Sequence, residues 1–351
     1  MFFDRFKMID ILTTALIPII LAAIVLLPDA KGKVTESNFF NKDYTTALKG
    51  LAAIVVIFVH VPADNGNRLQ DAIGSFAYVA VTYFFLVSAY GMQLAAENKA
   101  GYLNSFWKKR LASLLIPMVV INIVCYAIKY FLSDSPEAVM LVYLDRYVAV
   151  LLSYCLWFWC LEMLGNHFGW TRGTIDIINI SGVIISSLVL YFFISGSGWC
   201  FERIGFIWGL LLFRYFPSFL NWLKKNEKPK RIIFLLASLA LGIAYLKYKS
   251  TYFFGEYLLK IMLGFVILVG MSLWSYRMNF SKKILLFLGG ISYEIYLLHV
   301  FVLEMLAKHL PMPSGLLITT AIALTVILAY IINLIAKPLV EKARRVKWSE
   351  A

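Results

Sequence analysis

TTALKGLAAIVVIFVHV, residues 45–61, is an apolar run long enough to matter in a bilayer, and within it only Lys49 and His60 can carry charge. Eleven positions separate the two. At about 100° per residue they fall roughly 20° apart around a helix and about 16 Å along its axis. One face therefore carries a cation near one end and an imidazole near the other. Ionisable groups inside a membrane are costly and normally face a protein interior or a water-filled cavity, which makes this stripe the first candidate for a functional site. Lys49 snorkelling to one interface with His60 marking the other fits the same pattern, and this helix alone leaves both readings open.

The rest of the chain has the same character. Of its 351 residues, 61% are hydrophobic and 16% aromatic, which excludes a soluble fold and predicts an all-α, polytopic transmembrane helix bundle. Cys125, Cys155, Cys160 and Cys200 lie in or beside apolar runs and form no CxxC pair, so neither a disulfide framework nor a metal site is expected. The net charge of +13 would suggest nucleic acid in a soluble protein. In a membrane protein the Lys and Arg excess belongs to cytoplasmic loops and anionic headgroups, so membrane lipids are the expected contact and nucleic acid is not.

Runs able to cross a hydrocarbon core of about 30 Å fall at 9–28, 45–62, 72–94, 111–132, 139–164, 175–195, 200–213, 231–247, 254–275, 284–307 and 314–336. The first exceeds a signal-peptide h-region and no A-x-A site precedes the following loop, so it reads as an uncleaved helix. The organisation predicted is an extra N-terminal helix and loop over 1–41, a membrane core over 42–340 and a basic tail over 341–351. With the N-terminus outside, 23 of the 33 Lys and Arg fall in the cytoplasmic segments 28–49, 95–110, 165–174, 214–231, 275–283 and 337–351. That bias predicts an external N-terminus and a cytoplasmic C-terminus. The linker 224–231 and the tail 342–347 read as topology charge and headgroup contacts.

Three further stretches are candidates for chemistry. Lys108, Lys109 and Arg110 adjoin a helix start and are able to hold the phosphates of a soluble anion such as a nucleotide or coenzyme A; positive-inside topology explains them equally well. Residues 289–306, GGISYEIYLLHVFVLEML, are polar for their depth. Ser292, Tyr296 and His299 follow i, i+4, i+7 spacing on one face, with Glu294 nearly opposite Ser292 and close to mid-membrane. A hydroxyl, a phenol and an imidazole together form a catalytic or proton-handling surface, and an interfacial Tyr/His belt is the alternative. Ser88 lies in a small-residue patch that suits helix packing, while Trp157 and Glu162 read as an aromatic belt with one acid, or as part of a sugar site.

Taken together these stretches resemble the acyltransferase-3 family of bacterial integral-membrane acyltransferases. Lys49 and His60 match its Arg/Lys-x10-His motif, YFFLVSAYG at 83–91 looks like its FF-x-x-S-G segment, KKRLASLLIP at 108–117 is similar to its basic run before proline, and ISYEIYLLH at 291–299 resembles its ISY-x-x-YL-x-H. The four occur in the family's order and cover about 45–300. The family's ten spans correspond to those from 45 onward. Ser113 stands where many members carry a second Arg, Ala89 replaces the usual Gly, Thr82 replaces an acid, and Glu294 occupies a position where a small residue is common.

The resemblance implies an O-acyltransferase in the bacterial cytoplasmic (inner) membrane. Acyl-CoA, acetyl-CoA by default, would be cosubstrate with no bound cofactor, and the acceptor a hydroxyl of a cell-surface or exported glycan. Lys108, Lys109 and Arg110 would bind donor phosphates, and His60 would be the general base. Lys49 would order the donor, and Tyr296 and His299 would stabilise the oxyanion or orient the acceptor. Ser88, Trp157, Glu162, Ser292, Tyr293 and Glu294 would support the acceptor or the structure. The competing reading is a proton-coupled glycan or lipid-linked sugar transporter using His60, Glu294 and Glu304. No repeat between the halves and no paired, Gly/Pro-broken helices of the transporter kind are evident, and this ranks the enzyme first. Oligomeric state is not legible.

Overall fold

The computed structural model of the chain describes residues 2–26, 39–132, 144–194, 200–310 and 312–345, with side chains from Met8 onward. The regular structure among them is helical: α1 (Phe2–Leu26), α2 (Lys42–Ile57), α3 (Arg68–Gly74), α4 (Tyr78–Asn98), α5 (Phe106–Leu132), α6 (Arg146–Phe168), α7 (Arg172–Phe193), α8 (Ile204–Arg214), α9 (Phe216–Lys224), α10 (Glu227–Tyr248), α11 (Leu259–Ser275), α12 (Lys283–Gly290), α13 (Ser292–His309) and α14 (Ser314–Arg345). Nine helical stretches among the described residues are long and apolar enough to cross a membrane, or eleven if each of two bent pairs is one span. The bent pairs are α8–α9, meeting at 85°, and α12–α13, meeting at 68°. Every expected run has a helical counterpart.

Boundaries differ where capping outweighs hydropathy. The run expected from 139 begins its helix at Arg146, because the Asp145 carboxylate accepts from the N–H groups of Tyr147 and Val148 and sets the N-terminus there; residues 139–143 lie outside the described residues. Asn41 caps α2 by accepting from Tyr44 N at 2.8 Å. At its far end α2 tightens into a 3-10 turn, Phe58–His60. Three residues per turn instead of 3.6 advance each side chain by about 20° more, so His60 is rotated away from the simple helical projection of Lys49. At the other end of the chain α14 continues through position 341 to Arg345, so the expected tail begins as helix; its residues 346–351 lie outside the described residues.

Two close helix crossings place the functional elements. A Cβ on Gly289 of α12 would sit 2.0 Å from the Thr46 carbonyl oxygen of α2, and one on Gly50 would sit 2.6 Å from Gly289 N. Only glycine permits this approach. On α8, Gly205 and Gly209 follow the G-x-x-x-G pattern, and a Cβ at either would come within 2.2 Å of an α4 carbonyl, that of Thr82 or Leu86. α2, α4, α12 and α13 thus form the centre of the bundle, filled by fully buried Phe58, Phe85, Ile57 and Leu285. α1 docks on α14 and on the start of α3 through polar bonds that a lipid setting strengthens: Asp10 accepts from Gly315 N of α14 at 2.7 Å and from Nδ2 of Asn67, the N-cap of α3, at 2.7 Å. Lys282 donates to the Ile24 and Val25 carbonyls and so satisfies the C-terminal end of α1.

Candidate active site

A cleft of about 640 Å³, within the range of small-molecule sites, runs into the bundle between α2, α4, α5, α6, α12, α13 and α14. Lys49, Arg110, Lys337 and Arg344 line one part of it, and Phe84, Tyr147 and Tyr296 another. Ser88, Ser292, Tyr293 and Glu294 also line it. Pro117, in mid-helix α5, has no N–H to offer the carbonyl of Ser113, and both residues face the cleft.

Most polar groups here are committed to positioning. Ser292 donates to Gly289 O across the α12–α13 break, and Tyr293 donates to Leu114 O of α5 at 2.8 Å. Glu294, 4% exposed, accepts from Asn333 Nδ2 of α14 at 2.8 Å. The 68° break explains why Glu294 lines the same cleft as Ser292 although a straight helix would point them apart: the cleft meets the first turn of α13 end-on. Just ahead of the α6 span, burial pushes the Asp145 carboxyl above its ordinary range, against the two N–H groups that lower it.

Aromatic rings lead from the cleft to the histidines. Tyr296 packs against Tyr147 at 4.8 Å between centroids, against Phe84 at 5.7 Å and against His299 at 5.5 Å. His299 meets His60 at 4.8 Å, edge to face. His299 Nδ1 lies 2.5 Å from the Tyr296 carbonyl oxygen, which only accepts, so the proton is assigned to Nδ1 and Nε2 carries the lone pair. Nε2 is buried and has no hydrogen-bond partner among the described residues. His60 sits at an exposed bundle end. A buried imidazole with an unused lone pair, stacked on an accessible one, is able to accept and relay a proton.

The structure therefore brings together Lys49, Ser88, Arg110, Ser292, Tyr293, Glu294 and Tyr296 in one cleft, with His299 and His60 beyond it. Lys108 and Lys109 do not line the cleft, because neighbours on a helix point about 100° apart and only Arg110 turns inward. Trp157 and Glu162 also lie elsewhere. Trp157 covers Gly182 of α7, and Glu162, 1% exposed, pairs with Arg172 at 2.5 Å. Sequence reasoning missed Tyr330, Asn333, Lys337, Glu341 and Arg344, which line the cleft from one face of α14. Their i, i+3, i+4 spacing was the available signal.

The match to known families agrees with this geometry. A family model described as an acyltransferase domain, that of the acyltransferase-3 family, matches residues 43–334. The chain belongs to this acyltransferase family. Neither the curated proteins nor the solved structures gave a match. The matched region of the acyltransferase takes in α2 through most of α14 and every cleft residue up to Asn333, and leaves out α1 and the last turns of α14.

Proposed function

We propose that this acyltransferase transfers an acetyl group from cytoplasmic acetyl-CoA to a hydroxyl of a cell-surface or exported glycan. The observation that carries the reading is the single cleft with cations at one part, leading through Tyr296 to the His299–His60 pair. A donor with phosphates at one end and a thioester on a long arm matches that order. Arg110 is a bidentate phosphate ligand and Lys49 a second charge that orders the donor. The Lys and Arg bias supports a cytoplasmic position for this end, with His60 towards the opposite face of the inner membrane.

In the reaction His60 takes the proton of the acceptor hydroxyl, whose oxygen attacks the thioester carbonyl. Tyr296 donates to the oxyanion as the C–O bond forms. The intermediate collapses with breakage of the C–S bond, and the thiolate of coenzyme A takes the proton held by the imidazolium. His299, fixed through Nδ1 to the helix backbone, holds the His60 ring in place and offers Nε2 as a relay.

The test compares thiol release from acetyl-CoA in proteoliposomes by the wild type, His60→Ala and Arg110→Ala. Turnover by the wild type, lost in folded His60→Ala and with a raised KM in Arg110→Ala, supports the reading. Inert protein with several acyl donors and candidate sugars, combined with proton or glycan movement across the liposome, replaces it with the transporter.

A further inference from the structure

We infer that Arg344, beyond the family match, forms a second phosphate subsite of the donor cleft, and that it takes the ribose 3′-phosphate of coenzyme A. The inference rests on the donor reading above. α14 runs eleven residues past position 334, and its face Asn333, Lys337, Glu341, Arg344 turns into the cleft. Arg344 is exposed at the rim, yet its guanidinium is oriented, because Nη2 donates to Ser113 Oγ of α5 and the Ser113 hydroxyl donates in turn to the Lys109 carbonyl. Ser113 thus fixes one edge of the guanidinium and leaves the other N–H groups for a ligand. Among the described residues Lys49, Arg110, Lys337 and Arg344 take part in no ion pair.

Unpaired cations from three helices around one opening suit a ligand with more than one phosphate. A donor whose thioester arm points inward keeps its ribose and 3′-phosphate outermost. Arg344, on the last turn of α14, is exposed at the rim, whereas Lys49 and Arg110 are half-buried. Lys49 and Arg110, the half-buried pair, are left for the diphosphate.

Equilibrium binding of coenzyme A and of 3′-dephospho-coenzyme A to the purified full-length protein in detergent tests this. The expected result is that wild type prefers coenzyme A by about tenfold, a typical value for one charge-assisted contact. Arg344→Ala abolishes that preference while leaving dephospho-coenzyme A affinity within about twofold of wild type. Arg344→Lys retains part of the preference. Arg345→Ala removes the same charge one position along, off the cleft, and leaves both affinities in place. The inference is overturned if Arg344→Ala weakens both ligands alike, which puts this arginine on the diphosphate they share, or weakens neither, which leaves it to a lipid headgroup. It is overturned equally if Arg345→Ala reproduces Arg344→Ala. If wild type binds neither ligand, the donor reading itself falls and this subsite with it.

Discussion

His60 and His299 meet edge to face, their ring centroids 4.8 Å apart and their planes at 62°. One ring comes from the 3-10 turn that ends the α2 span and the other from α13, 239 positions later. Because His299 Nδ1 is held by a backbone carbonyl, the pair has one fixed member and one exposed member. Two groups acting as a unit give non-additive losses. His60→Ala is expected to lower turnover by about 10²–10⁴-fold, His299→Ala to lower it substantially, and the double variant to cost little more than His60→Ala. Thiol release measured for all four proteins checks this, and multiplicative losses would mean that the rings work independently.

The α2–α12 crossing makes a prediction about stability. Gly289→Ala would put a methyl group 2.0 Å from the Thr46 carbonyl oxygen and force the helices apart, at a cost of about 1–3 kcal/mol. Gly91→Ala meets nothing within 4 Å and replaces a helix glycine, so it is expected to be neutral or stabilising by up to about 1 kcal/mol. Thermal unfolding in detergent of the two variants should move in opposite directions or differ clearly in size.

Glu162 and Arg172 form a structural pair away from the cleft. Arg172→Ala leaves a carboxylate that is 1% exposed without its cation. With the arginine itself 41% exposed, the loss is expected near 1–3 kcal/mol, below the cost of breaking a fully buried pair. Turnover per folded molecule should stay near wild type. A selective fall in acceptor affinity at unchanged melting temperature would instead place this acid in a sugar site.

α1 lies outside the family match and holds α14 by its N-terminus. Asp10→Ala removes the acceptor for Gly315 N and Asn67 Nδ2, and a cap of this kind is worth about 0.5–2 kcal/mol. Melting of Asp10→Ala and Asp10→Asn, the second retaining one acceptor oxygen, separates the hydrogen bonds from the charge. Asp10→Asn should recover part of the loss.

Much of this was legible before any coordinates. Lys49 and His60 stand out because an otherwise apolar helix has nowhere else to put a charge, and the run 289–306 stands out for the same reason. The break at Ile291 was not read from the sequence, although Gly289 and Gly290 precede it, and the close approach of Gly289 to α2 appears only in the fold. Arg344 and Lys337 were hidden for a different reason. Lys and Arg near a cytoplasmic helix end are what topology alone predicts, and only the partner across the cleft, Ser113, distinguishes a ligand from a headgroup contact. Adjacent Lys108, Lys109 and Arg110 were grouped by sequence and separated by helix geometry.

The ring layer of Phe84, Tyr147 and Tyr296 bears on what such a bundle lets across a membrane. A water-filled passage from a basic mouth to an exposed imidazole would be a leak for ions and protons, dissipating about 2.3 kcal/mol per charge for each 100 mV. Three rings packed at 4.8 to 6.2 Å stand between the cleft's cations and the histidines. The same packing predicts a bundle that does not leak, and replacing Phe84 with a small residue should show as passive proton entry into liposomes.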